Sequence, residues 1–275
     1  MSSLPFVTLD VFTTHSYIGN PLAIVFLSRE LPTRQKQQIA REFNLSETVF
    51  IHPATTDSKK RSITIFTTGS EVPFAGHPTI GTASWLLCHS ADAGDRGVDT
   101  LSMKAGDVPI ALTPSTGNDD DGPSVTAEIA HDVRIHAARF PLAELLRLHT
   151  SLAPFFPATE TEKKGADVSF PIVSIVNGMS QVHVELPSLA ALGAVTTSAG
   201  GETISPASWL DEGWQRGLVM VYFFVRDGVD SQTASRQTIR SRAVLGILED
   251  PATGSAASGL AAYLSLREGR AGRFG

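Results

Sequence analysis

The chain has 275 residues, 42% of them hydrophobic, a formal charge of −6 at neutral pH and a single cysteine. This length supplies ample core and favours two medium domains over one large one. The acidic balance, without a Lys/Arg cluster, gives no electrostatic basis for nucleic acid, and one thiol excludes both an internal disulfide framework and a cysteine-held metal. No stretch approaches the length of a membrane span, and Met1–Asp10 lacks the pattern of a secretion signal, so the expected location is cytoplasmic.

In chain order, Val7–Phe12 alternates as a strand, and Asn20–Phe26 follows as a second strand with Pro21 near its start. Leu31-Pro32 opens an amphipathic helix through Gln38, Ile39, Ala40 and Phe43. Strands are expected at Thr48–His52 and Ser62–Thr67. They lead into Phe74-Ala75-Gly76-His77-Pro78-Thr79 and an apolar helix over Thr79–Leu87, at whose end Cys88 is expected as a structural thiol. The stretch Thr113–Ser124, rich in Pro, Gly and Ser, has the composition of a solvated connector. Its Asp119-Asp120-Asp121 reads as loop rather than metal site, because adjacent acids on an extended chain point different ways.

The second half repeats the order. Phe170–Val176 and Gln181–Leu186 flank an Asn177-Gly178 hairpin turn. Leu186-Pro187 opens a short helix, and strands at Leu218–Val225 and Thr238–Val244 precede Glu249-Asp250-Pro251-Ala252-Thr253-Gly254-Ser255-Ala256. A second apolar helix over Ala256–Leu264 follows. Gly76 and Gly81 recur at the same interval as Gly254 and Gly259, so the chain reads as a diverged internal duplication, with domains at 1–115 and 125–275. Both helices are apolar nearly all round and are expected to be buried.

A cleft between duplicated halves is the natural ligand site, and the free N–H groups at two helix starts favour a carboxylate there. Glu47, His77, Asp250 and Ser255 are the polar candidates at or beside these starts. Each has a plainer reading: helix capping for Asp250 and Ser255, a structural imidazole for His77, a solvated residue before a strand for Glu47. Thr82 stands where a phosphate-binding loop requires lysine, the histidines show no metal-ligand spacing, and no dinucleotide or pyridoxal-phosphate pattern is present. No cofactor and no metal are expected.

The combination Asp10-Val11-Phe12, Gly19-Asn20-Pro21-Leu22-Ala23, Ser46-Glu47-Thr48, Glu71 through Thr79 and Glu249 through Ala256 resembles the phenazine biosynthesis PhzF-like family over nearly the whole chain. The resemblance implies an α+β, diaminopimelate-epimerase-like fold: two similar domains, each a curved, barrel-like mixed sheet around a central helix. It also implies a homodimer. Racemases of this fold use two cysteines, which His77 and Ser255 replace here, so two-thiol racemisation is excluded. In the family pattern the residue matched by Glu47 is the acid/base, and those matched by His77, Asp250 and Ser255 line the site; Asn20, Gly76, Thr253 and Gly254 complete the candidate substrate contacts. The type reaction is isomerisation of trans-2,3-dihydro-3-hydroxyanthranilate, in which one carboxylate moves a proton between carbons. Burial is expected to raise the pKa of such a glutamate.

Two departures stand out against the family. Arg240-Ser241-Arg242-Ala243-Val244-Leu245-Gly246 keeps arginine but lacks the family's aromatic-Ala-Pro element. Relatives also continue through further strands where this chain stops at Arg273-Phe274-Gly275, so an open final sheet edge is expected. The alternative to an enzyme is a catalytically silent small-molecule binding protein of the same fold.

Overall fold

The computed structural model describes residues 3–54, 59–113, 123–157, 168–229 and 237–269. Most of the expected connector, including Asp119–Asp121, lies outside the described residues, as do Arg273, Phe274 and Gly275. The chain divides into two compact units, Met1–Ala130 and His131–Gly275.

In the first unit, β1 (Phe6–Val11) and β2 (Asn20–Phe26) pair antiparallel. Helix α1 (Thr33–Phe43) leads to β3 (Thr48–Ile51), parallel to β2. Strand β4 (Lys60–Phe66) returns antiparallel to β3, and β5 (Glu71–Val72) antiparallel to β4. Helix α2 (Gly76–Ser84) continues as a π-turn over Trp85–His89. Strands β6 (Thr100–Met103), β7 (Gly106–Thr113) and β8 (Ser124–Ala127) complete an eight-stranded sheet ordered β1-β2-β3-β4-β6-β7-β8, with β5 on β4.

Strands β2–β4 are buried on both faces, and alternation sorts their side chains between two helices. Leu22, Ile24, Val49, Ile51, Ile63 and Ile65 pack with Ala83, Leu86 and Leu87 of the α2 segment. Val25, Phe50 and Phe66 pack with Ala40 of α1 on the other face. Cys88 is half-buried against the first of these cores, and burial raises its thiol pKa, consistent with a structural role.

The second unit opens with β9 (Arg134–Pro141) and α3 (Leu142–Leu148). Its hairpin, β10 (Ser169–Val176) and β11 (Met179–Glu185), turns at Asn177-Gly178, where Gly178 has φ +100. A side chain there would be strained, so the glycine fixes the reversal. Helices α4 (Leu189–Gly193), capped by the Ser188 hydroxyl, and α5 (Pro206–Trp209) precede β12 (Leu218–Val229), β13 (Gln237–Leu245), β14 (Leu248–Asp250) and α6 (Gly254–Glu268). The sheet order is β14-β13-β12-β11-β10-β9. From β10 to β14 the pairing runs antiparallel, parallel, antiparallel, antiparallel, the same senses as from β1 to β5. The duplication thus extends from element order to strand pairing.

One glycine in each central helix sets how closely it meets the sheet. A Cβ on Gly81 would lie 2.5 Å from Leu22 Cδ2 and 2.7 Å from Val11 Cγ2, so α2 sits directly on the β1–β2 pair. A Cβ on Gly259 would lie 2.9 Å from Gln181 Oε1 and 3.5 Å from His183 Nε2, which brings α6 onto β11, the counterpart of β2.

The expectation of full burial holds for α2 and not for α6. Helix α2 touches β1, β2, β3 and β8, because the first sheet continues through β6–β8 to reach it again. Among the described residues, α6 packs on one sheet face: Ala256, Gly259, Leu260 and Leu264 are buried, whereas Ala257, Ser258 and Leu266 (63% exposed) are not. An apolar sequence fixes what a helix tolerates, while the surrounding strands decide what is covered.

Two stability predictions follow from this packing. Gly81→Ala should lower unfolding free energy by about 1 kcal/mol, overpacking against Leu22 and Val11 exceeding the gain in helix propensity; a chemical-denaturation midpoint equal to wild type would contradict the contact. The second relates to pH. Burial lowers the pKa of His136, against the opposing charge of Asp211, lowers that of His149 and takes His183 down to about 3. A depressed imidazole pKa means that the unfolded chain takes up the proton first, so stability is full above about pH 6.5 and is lost as pH falls. For His183 alone the loss is roughly 3 kcal/mol at pH 4.5. Urea midpoints measured from pH 7 to 4.5 should fall steeply in wild type and less in His183→Gln; parallel slopes would refute the assignment.

Candidate active site

In the first unit the site is built from two elements that reach the same place from separate stretches of the sequence. Helix α1 stops at Asn44, which adopts φ 52 while its N–H returns to Ala40 O. Asn accepts this left-handed conformation better than a branched residue. The reversal delivers Ser46 and Glu47 to the start of β3, where Thr48 pairs with Ala23 of β2. From the other side, Gly81 holds α2 on β2, and His77 lies one helical turn earlier on the same helix face.

His77 Nδ1 stands 3.1 Å from Glu47 Oε2, with side chains 5% and 20% exposed. The ring approaches off the hydrogen-bond line. Glu47 Oε2 and His77 Nε2 are buried without an aligned hydrogen-bond partner among the described residues. Such atoms are costly in a folded protein and mark places where a polar group of a bound molecule is welcome.

The electrostatics differ from the sequence expectation of a raised glutamate pKa. Burial does push the Glu47 carboxyl up, but His77 and Ser46 contacts and the His77 charge pull it down further, leaving it below the ordinary glutamate value. The sequence places Glu47 and His77 far apart, so this opposing partner is visible only in the fold. Ser46, adjacent to the candidate base, is a contact that the motifs alone do not single out.

The two helix starts are both uncapped by side chains. At α2, Pro78 has no N–H and Thr79 N–H returns to Ala75 O, which leaves the Gly76 and His77 amides as the leading donors. At α6, Ala257 N–H returns to Thr253 O, and the leading amides are those of Gly254, Ser255 and Ala256. A Cβ on Gly76 or Gly254 would meet nothing within 4 Å. These two glycines therefore do not serve internal packing, unlike Gly81 and Gly259, and they keep the helix starts open to close approach.

The other candidates fall into place separately. Asp250 Oδ1 accepts the Ala252 N–H at 3.2 Å and Oδ2 accepts the Thr253 hydroxyl at 2.7 Å, so Asp250 and Thr253 together shape the turn into α6. Ser255 is half-buried in the first turn, on the same helix face as Gly259. Asn20 begins β2 opposite Val11 and is buried. Arg242 forms a bidentate pair with Glu249, both contacts at 2.6 Å, and donates to the carbonyls of Leu192 and Val195. The arginine before the second glycine motif thus ties β13 to β14 and the α4 end.

A Ser-His-Asp trio also occurs in the second unit, at Ser174, His136 and Asp211. His136 Nδ1 accepts the Asp211 backbone N–H at 3.1 Å, so Nε2 carries the proton and donates to Ser174 Oγ at 2.8 Å. This is the reverse of what a general base for serine requires, and Ser174 is fully buried.

The phenazine biosynthesis-like protein family matches residues 9–273. An uncharacterized isomerase of Mesorhizobium japonicum is 44% identical over 117 residues, a match that spans 42% of this chain and only 38% of that protein. The trans-2,3-dihydro-3-hydroxyanthranilate isomerase of Pseudomonas aeruginosa is 32% identical over 263 residues, covering 94% of this chain and 79% of that enzyme. In fold, the chain resembles the crystal structure of a Bacillus anthracis phenazine biosynthesis protein of the PhzF family, with a TM-score of 0.65 at 21% identity over 96% of this chain and 81% of that one. The two mixed sheets, their repeated pairing senses and the matched motifs agree, and the chain belongs to the phenazine biosynthesis-like, PhzF family.

Proposed function

We propose that this protein is an isomerase that moves one proton on a small carboxylate, trans-2,3-dihydro-3-hydroxyanthranilate or a similar cyclic acid, without a cofactor. The observation that carries the reading is the buried contact between Glu47 Oε2 and His77 Nδ1 at an uncapped helix start. Its lowered pKa keeps Glu47 ionised at neutral pH, ready to act as a base. One C–H bond of the substrate breaks, its proton passes to Glu47, and the electron pair enters the conjugated system. Protonated Glu47 then gives the same proton to a second carbon, so the molecular formula is unchanged. A conjugate acid with a depressed pKa returns its proton readily, and its burial limits exchange with water.

The remaining roles follow from chemistry. The Gly76 amide is assigned to the substrate carboxylate or to the charge that develops as the proton leaves, and the Gly254 amide and Ser255 hydroxyl offer the same donor chemistry at the start of α6. His77 orients Glu47 and meets the substrate through Nε2. Asp250 and Thr253 act by shaping the α6 start, and Asn20 contributes a polar contact. The reading includes a homodimer, as the family resemblance implies, and the cytoplasmic location expected from the sequence; light scattering should return twice the chain mass. Among the described residues, no helix is long and apolar enough to cross a membrane.

Turnover followed by proton NMR in heavy water tests the proposal. Glu47→Gln should lower kcat by about a thousandfold, and with it the transfer of the retained proton from the first carbon to the second that wild type shows in heavy water, the range expected for loss of a general acid/base; wild-type turnover by this variant would falsify it. The acid limb of kcat/KM should fall below the ordinary glutamate range, because protonation of Glu47 removes the base and its pKa is lowered. Gly76→Ala and Gly254→Ala should keep wild-type stability, since a Cβ meets nothing, yet lower kcat/KM by about tenfold. Unchanged kinetics in both would remove the helix starts from the site.

A further inference from the structure

A groove of about 160 Å³ opens in the second unit between the C-terminal half of α6 and strands β9–β11. Tyr263 and Arg267 come from the helix, and Arg139, His183 and Glu185 from the strands. Tyr263 lies nine residues beyond Gly254, about 13 Å along the helix axis, so the groove is separate from the α6 start.

His183 is the unexplained group. It is 2% exposed, and neither ring nitrogen has a hydrogen-bond partner among the described residues. Tyr222 meets the ring edge-on and Tyr263 stacks beside it at 6.3 Å, contacts that fix its plane without satisfying its polar atoms. Burial holds the imidazole neutral at physiological pH, so it offers one N–H and one lone pair.

The charges around it favour an anion. Glu185 is paired with Arg226 at 3.1 Å, and Arg226 also meets Glu268 at 3.1 Å. Arg139 donates to the Ser169 hydroxyl and carbonyl, neither of which neutralises it. Arg267 has no carboxylate partner among the described residues. Two guanidinium groups and one carboxylate therefore line the groove, and that carboxylate is already paired with Arg226, a balance that outweighs the weak negative end of α6. A planar carboxylate suits arginine geometry, and the volume accommodates a small aromatic or aliphatic acid.

We propose that this groove binds a small carboxylate, held by Arg139 and Arg267 and hydrogen-bonded by the His183 ring. The site is independent of the Glu47 chemistry and stands or falls without it.

The test uses full-length protein labelled with 15N-histidine, with ring nitrogens followed by NMR during titration with benzoate and with neutral benzamide. The His183 signals should shift saturably with benzoate, at least tenfold more tightly than with benzamide, and an Arg139→Gln/Arg267→Gln variant should weaken benzoate by about tenfold. Unchanged His136 and His149 signals report that the variant is folded. His183 signals unmoved by benzoate to roughly 20 mM would overturn the proposal, since a weaker site has no working affinity. Equal affinity for benzamide would overturn it also, as would an unweakened, folded double variant. If the variant does not fold, the comparison of benzoate with benzamide on wild type decides.

Discussion

The close approach of α2 to the β1–β2 pair, possible because residue 81 lacks a side chain, is the contact on which the first unit depends. It seats the helix against Leu22 and Val11 and thereby fixes where His77, one turn earlier, stands. The strand that receives the helix also has β3 as its parallel neighbour, and β3 begins directly after Glu47. A few tenths of an ångström at Gly81 therefore pass through rigid elements to a 3.1 Å contact between an acid and an imidazole. Packing and chemistry here are one geometric problem.

The second unit repeats the solution with different materials. Gly259 lets α6 settle on β11 as Gly81 lets α2 settle on β2, and the pairing senses of five strands agree. Where the first contact is with Leu22 and Val11, the second is with Gln181 and His183. The start of α2 carries an imidazole facing a carboxylate, and the start of α6 carries a turn closed by Asp250 and Thr253. A duplicated frame has thus kept its backbone contacts while its polar groups diverged.

The parts legible in the sequence are those with strong local signals. The Asn177-Gly178 turn between two apolar runs marks β10 and β11, and Asn20–Phe26 matches β2 end to end. Strands such as β7, with Pro109 inside it, and β9, with Arg134, His136 and Arg139, carry polar or turn-forming residues that hide the pattern. The residue types of the candidate site were legible from their motifs. The sign of the Glu47 shift was not, because it arises from His77, a neighbour in space and remote in sequence. The exposure of α6 was hidden for a related reason: periodicity describes a helix and says nothing of the strands beside it.

The account rests on Glu47 being an ionised base held by His77 and Ser46 in the resting protein. The most direct measurement is the pH titration of the Glu47 side-chain carboxyl carbon by 13C NMR, in wild type and in His77→Asn. The account predicts a midpoint below the usual glutamate value of 4.5 that moves upward when His77 is replaced, because burial then acts with less opposition. A midpoint at or above 4.5 in wild type, or one unmoved in the variant, would contradict it.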